Sequence, residues 1–205
     1  MSTYPTALME QVRDLRETVP QAELNDNGLF VVAGLNLPLA QQLVDNSNQP
    51  HIGRTCPNDA PKRFKDVPAV ESWQTKQRLS LPLVRELGPS FLDLSGFGWM
   101  GPGSPDVEAG EPEIPGAVVT FAVRLYESAL KQGNAPHYTR AILDAHEAII
   151  GNNQGVWLEA WKTNKRAIEA YEDNGFITVA EIPGILHGEE VTRVYMTLGQ
   201  LSAAA

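Results

Sequence analysis

The feature that most constrains the fold lies between residues 117 and 161, where a strand, a helix and a second strand follow one another. The run AVVTFAVRLY, residues 117–126, is rich in β-branched and aromatic residues and predicts a central strand. Apolar residues recur at helical spacing in YTRAILDAHEAII, which predicts an amphipathic helix that ends at Gly151. GVWLEAW, residues 155–161, alternates as a strand does. The pattern therefore predicts a βαβ crossover.

The segments around this crossover predict further helices and strands. Asn164 is a favourable helix N-cap, Asn174-Gly175 is a favourable helix stop, and the strands FITVAEI and VTRVYMTL flank the turn-like PGILHGEE. The elements predicted before the crossover are a helix over 6–18, an apolar run at 29–35, a helix near 39–45, a long loop or a pair of short turns over 46–66, a short helix opened by Pro68, and apolar segments at 79–84 and 91–94. Long loops in compact domains often serve binding.

Composition limits the class of protein. A chain of 205 residues with 42% hydrophobic content is long enough for one sizeable core, so a single domain is expected. The net charge of -9 disfavours binding to nucleic acid or to an anionic membrane surface. The single cysteine, Cys56, cannot form an internal disulfide, and no apolar run has the length of a signal peptide or a membrane span. A soluble, cytoplasmic protein is therefore expected.

The predicted helix after residue 161 has one face that is more polar than packing requires. Asn164, Ala167 and Tyr171 are spaced by three and then four residues, so they lie on one stripe of the helix. Leucine would bury better at these positions. Packing alone explains the stripe if Asn164 is only a cap and Tyr171 only a partly buried ring with a bonded hydroxyl.

With Gly175 and Phe176, this stripe resembles a conserved-type segment of the GNAT superfamily of acyl-CoA N-acyltransferases: Asn, two residues, Ala, three residues, Tyr, three residues, Gly-Phe. The resemblance covers about 22 residues directly, and the order of elements extends it from about residue 79 onward. It implies an α/β (α+β) fold class, with a central mixed, mostly antiparallel sheet, one parallel βαβ crossover and flanking helices. It also implies one domain over residues 1–205, with acceptor-side elements in 1–78 and the core with its cofactor-binding half in 79–205.

The same resemblance implies an activity and its partners. The implied reaction is transfer of an acetyl group from acetyl-CoA, as co-substrate, to an amine of an unidentified small molecule or peptide. No metal, nucleic acid or membrane is implied, and a homodimer is left open. The four histidines also lack the spacing of metal ligands.

Site residues follow from the resemblance. Asn164 would order the strand-to-helix turn and bond the pantetheine arm, Ala167 would let the helix approach the cofactor, and Tyr171 would protonate the departing sulfur. A backbone N–H of the central strand near Leu125 would polarise the thioester carbonyl. The base is left open between Glu127, which is preferred, and Glu159.

The loop that holds the pyrophosphate in GNAT proteins, Gln/Arg-x-x-Gly-x-Gly/Ala, is altered here to KQGNAPHYTRAIL. Aligned from its left end, Gln132, Gly133 and Asn134 begin the loop, but Ala135 and His137 replace the glycines. Aligned from the helix, His137 and Thr139 stand at the glycine positions. Pro136 contributes no N–H donor.

Two side chains could compensate for the missing loop donors. The Thr139 hydroxyl and the Arg140 guanidinium are suitable phosphate donors at a helix start. The structural alternative, given equal weight, is that Thr139 only caps the helix and Arg140 is a solvated surface residue.

Three function classes are compatible with the sequence. The first is an active acetyltransferase, favoured by Asn164 and Tyr171; the second is a catalytically inactive GNAT-fold binding or regulatory module, favoured by the altered loop. The third is an oxidoreductase built on the Gly-x-Gly-x-x-Gly pattern at residues 96–101. This third class is disfavoured because Pro102 and Pro105 follow the pattern and prevent the helix that a dinucleotide loop requires. A bulged strand with Trp99 as a wall of the acceptor pocket is expected there instead, and His146 is expected on the surface.

Overall fold

The computed structural model describes residues 12–17, 19, 23–24, 28–89 and 91–198. The strands of these residues form one nine-stranded sheet. They are β1 (Arg13–Asp14), β2 (Glu23–Leu24), β3 (Leu29–Ala33), β4 (Leu79–Gly88), β5 (Phe91–Pro102), β6 (Val119–Leu125), β7 (Val156–Trp161), β8 (Phe176–Leu186) and β9 (Glu189–Leu198). The order across the sheet is β1-β3-β4-β5-β6-β7-β9-β8, and β2 also pairs with β3.

Helices cover both faces of this sheet. They are α1 (Leu37–Ser47), α2 (Pro50–Thr55), α3 (Val67–Gln74), α4 (Asn134–Ile150) and α5 (Lys165–Glu172), with a π-helical turn at Asp59–Arg63 and a 3₁₀ turn at Glu127–Ala129. The face that carries Phe121 packs against Ile142 of α4 and Tyr171 of α5. The opposite face, which carries Trp99, packs against α1 to α3. Alternation along each strand thus supplies apolar side chains to two separate core clusters.

The topology confirms the predicted fold class, a mixed and mostly antiparallel sheet flanked by helices. β6 and β7 pair in parallel and α4 connects them, as the βαβ pattern predicted. The remaining strand pairs of the described sheet are antiparallel. The predicted terminal strand pair is β8 and β9, but Pro183 to Leu186 belong to β8. The turn itself is His187-Gly188, where both residues have positive φ, as a two-residue hairpin requires.

Two predictions for the first third of the chain are wrong. The helix expected over 6–18 falls partly outside the described residues, and within them Arg13–Asp14 is a strand paired with Val32 and Ala33 of β3. The loop expected over 46–66 contains the end of α1, all of α2 and the π-helical turn. Pro50 starts α2 because its missing N–H costs nothing at a helix N-terminus.

Two predictions concerning α4 also need correction. The helix begins at Asn134, four residues before the predicted start, since Pro136 is tolerated within a first helical turn. His146, expected on the surface, is buried in the packed face of α4. Its Nδ1 lies 2.7 Å from Asn153 Oδ1, and burial lowers the pKa of the imidazole.

No helix in the part of the chain that the structure describes has both the length and the apolar character to cross a membrane.

Candidate active site

The two parallel strands separate after a short paired stretch. Pairing between β6 and β7 is confined to Val119 with Val156 and Thr120 with Trp157. Beyond that point β6 continues along β5 to Leu125, and β7 continues along β9 to Trp161. We call the space between residues 121–125 of β6 and residues 158–161 of β7 the strand gap.

Backbone hydrogen bonds establish which groups of β6 face the strand gap. Tyr126 N donates to Ser95 O and Gly103 N donates to Val118 O, so the even-numbered residues of β6 turn their backbone groups toward β5. Successive residues of a strand alternate between its two neighbours. The N–H groups of Val123 and Leu125 therefore point into the strand gap, beyond the last residues paired with β7.

Helix α2 bridges the strand gap on the face that carries Trp99. His51 Nε2 lies 2.9 Å from Leu125 O, at the β6 side. Trp161 Nε1 donates to Thr55 O at 3.1 Å, at the β7 side. The two ends of one helix are thus bonded to the two strands that have parted.

Tyr171 covers the strand gap from the opposite face. Its ring is buried and packs edge-on against Phe121, with centroids 6.0 Å apart. Burial raises the pKa of its hydroxyl to about 12, and the positive charge of Arg124 opposes that rise. The contact with Phe121 places the Tyr171 ring beside the strand gap. The hydroxyl has no hydrogen-bond partner among the residues described.

A buried ion pair lies beside α2. Arg124 Nε donates to Asp59 Oδ2 at 2.7 Å, and the Asp59 side chain is 1% exposed. The guanidinium also lies over the Trp99 ring, 4.5 Å from its centroid. Burial alone would lower the pKa of Arg124, but the Asp59 carboxylate overrides this effect and raises it. This ion pair lies on the sheet face whose buried core cluster is apolar.

The N-terminus of α4 offers fewer backbone donors than a glycine loop would. Gly133 precedes the helix with a φ of 75°, and the N–H groups of Gly133, Asn134 and Ala135 precede the first intrahelical bond. Pro136 supplies none. The Gln132 side chain donates to Ser128 O at 3.0 Å, and the Asn134 side chain donates to Ala129 O at 3.2 Å.

The remaining predicted loop residues differ in exposure. His137 is exposed at this end of α4. Thr139, one turn further on, is buried, and its Oγ1 has no hydrogen-bond partner in the described chain. Arg140 is exposed and paired with Asp144. Of the two proposed replacements for the loop glycines, only Arg140 is accessible to a ligand in this structure.

Asn164 and Ala167 hold the start of α5. Asn164 occupies the N-cap position, but its side chain makes no capping bond, and its backbone oxygen accepts from Ala167 N at 3.0 Å. Ala167 packs partly buried against the cluster that contains Tyr171. At the other end of α5, Asn174 Nδ2 donates to Pro136 O at 2.9 Å, which joins α5 to the first turn of α4.

The candidate carboxylates lie in different surroundings. Glu127 is exposed in the 3₁₀ turn after β6, and its backbone N donates to Gln49 Oε1 at 3.0 Å. Glu159 on β7 is half-exposed, with one oxygen 3.5 Å from Arg193 Nη1. The glycine-rich run at 96–101 lies within β5, next to a bulge at Ser95, and no helix follows it. Trp99 is buried beneath Arg124.

Sequence reasoning missed His51, Asp59 and Arg124. All three stand in or contact the segment interpreted as a loop, and nothing in their local pattern indicates that they meet. Within the described chain, no group of three His, Cys, Asp or Glu side chains is placed to hold a metal ion.

Comparison by sequence matches no protein-family model and no curated protein. Comparison by structure finds many similar chains, among them three acetyltransferases, each with a TM-score of 0.63. A spermidine N-acetyltransferase from Vibrio cholerae, solved with CoA and spermine, is 15% identical over 84% of this chain and 96% of its own. A protein from Salmonella typhimurium, named provisionally as an acetyltransferase and solved with acetyl-CoA, is 16% identical. The match covers 87% of this chain and 97% of the Salmonella protein. A phosphinothricin N-acetyltransferase, also named provisionally, is 15% identical. The match covers 84% of this chain and 99% of that protein.

Other structures with this similarity are described as GNAT-family acetyltransferases, including one from Streptococcus pneumoniae with a TM-score of 0.58. At these identities the similarity concerns the fold. The chain has the GNAT fold.

Proposed function

We propose that this protein is an N-acetyltransferase that transfers the acetyl group of acetyl-CoA to an amine of a small molecule or peptide. The observation that carries the proposal is the pairing of two groups across the strand gap. The Leu125 N–H faces the gap from β6, and the ring of Tyr171, whose hydroxyl has no partner in the described chain, packs from α5 against Phe121 at the gap. One can stabilise charge on a thioester oxygen and the other can give a proton to a leaving thiolate.

The groups around the gap fit acetyl-CoA. The gap-facing N–H groups of Val123 and Leu125 can bond an amide-bearing chain such as pantetheine. Asn164, which follows the end of β7, lies on the other side of the gap. The backbone N–H groups of Gly133 and Ala135, at the start of α4, can bond the pyrophosphate with the help of the helix dipole. Gln132 and His137 flank that helix end.

Two further residues define how closely the cofactor is held. Ala167 leaves room beside α5 for a chain lying in the gap. Arg140 adds a charged donor one turn into α4 when its pair with Asp144 opens. The burial of Thr139 gives it a packing role in this proposal.

The reaction needs a neutral amine, a stabilised oxyanion and a protonated leaving group. Leu125 donates its N–H to the carbonyl oxygen as negative charge develops there. Tyr171 remains protonated at neutral pH because its pKa is raised to about 12, so it can donate to the sulfur. For the base, the positions on the strands offer Glu127 at the end of β6, which is preferred, and Glu159 on β7.

The experiment is an acetyl-transfer assay with purified protein. Acetyl-CoA is offered with spermidine, an aminoglycoside, phosphinothricin and a set of amino acids, and released CoA and acetylated product are measured. Acetylation of at least one amine, with acetyl-CoA binding seen by calorimetry, is the expected result. Failure to bind acetyl-CoA contradicts the proposal.

A second function is favoured by one observation. Pro136 removes one backbone donor at the N-terminus of α4, and one of those that remain belongs to the residue that caps the helix. A catalytically inactive GNAT-fold module would tolerate this loss. Acetyl-CoA binding without transfer to any amine, or no binding at all, is the outcome that selects this alternative.

A further inference from the structure

We propose that His51 is the base that takes the proton from the amine, in the role for which the sequence favours Glu127. This inference rests on the proposed acetyltransferase function. His51 lies on α2, in the segment predicted to be a loop, and contacts the strand that carries the proposed oxyanion donor.

The hydrogen bond to Leu125 selects one tautomer of His51. A backbone carbonyl oxygen can only accept, so the proton of the neutral imidazole resides on Nε2. Nδ1 then carries a lone pair, and it has no hydrogen-bond partner in the described part of the chain. The ring is thereby fixed at one nitrogen and available as a proton acceptor at the other.

The same bond places the ring beside the reacting group. The N–H and the C=O of one strand residue face the same neighbour, so both backbone groups of Leu125 face the strand gap. A thioester oxygen bound by the Leu125 N–H would lie next to an imidazole bound to the Leu125 oxygen. His51 is partly buried there, whereas Glu127 is exposed beyond the strand end.

Helix α2 gives the ring a fixed position. The Trp161 indole holds the Thr55 oxygen, and Gln49 holds the backbone N of Glu127. Thr55 Oγ1 also donates to the His51 backbone oxygen at 3.0 Å. The first two bonds thus fix α2 to its neighbours, and the third lies within the helix on which His51 stands.

Tyr171 and His51 together account for the protons that move during acetyl transfer. The amine nitrogen forms a bond to the acetyl carbon, the carbon–sulfur bond breaks, and the sulfur receives a proton from Tyr171. The amine proton passes to His51 Nδ1, which forms an imidazolium that still donates from Nε2 to Leu125. Solvent then removes the proton from His51 and restores that of Tyr171.

The test compares His51→Gln with His51→Ala. Glutamine keeps an N–H donor for the Leu125 oxygen but is not a base. We expect acetyl transfer to the best amine of the panel to fall roughly 10²-fold or more in both variants, with acetyl-CoA affinity in His51→Gln near that of wild type. Added imidazole should restore part of the transfer in His51→Ala. The control is His187→Asn in the exposed β8–β9 turn, which should behave as wild type.

Each other outcome decides against the inference. Full transfer in a folded His51→Gln, or a loss confined to Glu127→Gln, removes His51 as the base. A drop in acetyl-CoA affinity that accounts for the whole loss, without rescue by imidazole, makes His51 structural. Wild-type protein that fails to bind acetyl-CoA, or binds it and transfers to no amine, refutes the proposed function separately, before any variant is compared. Melting curves of all variants distinguish misfolding from these results.

Discussion

At the residue scale, burial keeps the Tyr171 hydroxyl protonated at neutral pH, so the hydroxyl can act as a proton donor. The pKa of a free phenol is near 10 and that of a free thiol is near 8.5, so a tyrosine can donate to a departing thiolate. Burial raises the pKa of Tyr171 to about 12, so the hydroxyl keeps its proton across the neutral range. An edge-on contact with Phe121 and a tilted contact with Phe176 hold the ring while leaving the hydroxyl unbonded to the described chain.

Tyr171→Phe should therefore lower acetyl transfer roughly 10²-fold or more, with little change in acetyl-CoA affinity. Phenylalanine keeps both ring contacts and removes only the donor. Tyr138→Phe is the matched control, because the Tyr138 hydroxyl donates to Leu81 O inside the core. We expect that control to keep its transfer rate and to lose about 1–3 kcal/mol of unfolding free energy. Steady-state kinetics and melting curves of both variants provide the measurement; unchanged turnover in Tyr171→Phe would leave Tyr171 a packing residue.

The sequence indicates which residues of the candidate site lie together only where their relation is local. Asn164, Ala167 and Tyr171 lie within one helix, so their spacing alone puts them on one face. Asp59 and Arg124 are 65 residues apart, and only the packing of α2 and the π-helical turn against β6 brings them together. His51 and Leu125 are related in the same way at 74 residues. No local pattern encodes such pairs.

At the element scale, the β6–α4–β7 crossover is the best-predicted part of the fold. Its apolar periods are long and each element packs one face, so periodicity and structure agree. Residues 46–66 are the opposite case, because polar residues and prolines suggest a loop. The helix and π-helical turn that form there are held by tertiary bonds from Trp161 and Arg124.

The return of the crossover into β7 gives a prediction about Gly155. Gly151 and Gly155 both have positive φ, 98° and 70°, so alanine at either position should cost about 1–2 kcal/mol. A Cβ at Gly155 would also lie 2.4 Å from the backbone oxygen of Gly116, whereas a Cβ at Gly151 meets nothing within 4 Å. We expect Gly155→Ala to lose roughly 1–3 kcal/mol more than Gly151→Ala.

Denaturant unfolding of the two alanine variants measures this difference. Equal losses would mean that the segment around Gly116 moves aside without cost. The comparison also reports on the site, because Gly155 O accepts from Val119 N in the short stretch where β6 and β7 are still paired. A variant that shifts this contact should weaken acetyl-CoA binding as well as stability.

At the scale of the whole molecule, one sheet carries a core cluster on each face, and the strand gap interrupts the sheet between them. The elements around the gap come from both faces: α2 from one, α4 and α5 from the other. Sequence predicted the central sheet and the family that this arrangement resembles. It could not predict the acceptor, since the segments proposed to form the acceptor side have structures that depend on contacts distant in the chain.

A ligand in the gap should therefore stabilise the whole molecule. At 100 times its dissociation constant, acetyl-CoA should add about 2.7 kcal/mol to the free energy of unfolding. For a chain of this size, that corresponds to a rise in Tm of about 5–11 °C. Acetyl-pantetheine, which lacks the nucleotide and its pyrophosphate, leaves the N-terminus of α4 unoccupied and should give a smaller rise at the same concentration. Thermal unfolding with each compound, and calorimetry to confirm binding, make the comparison. Equal shifts would mean that α4 does not hold the phosphates, and the absence of both shift and heat would favour the inactive module over the acetyltransferase.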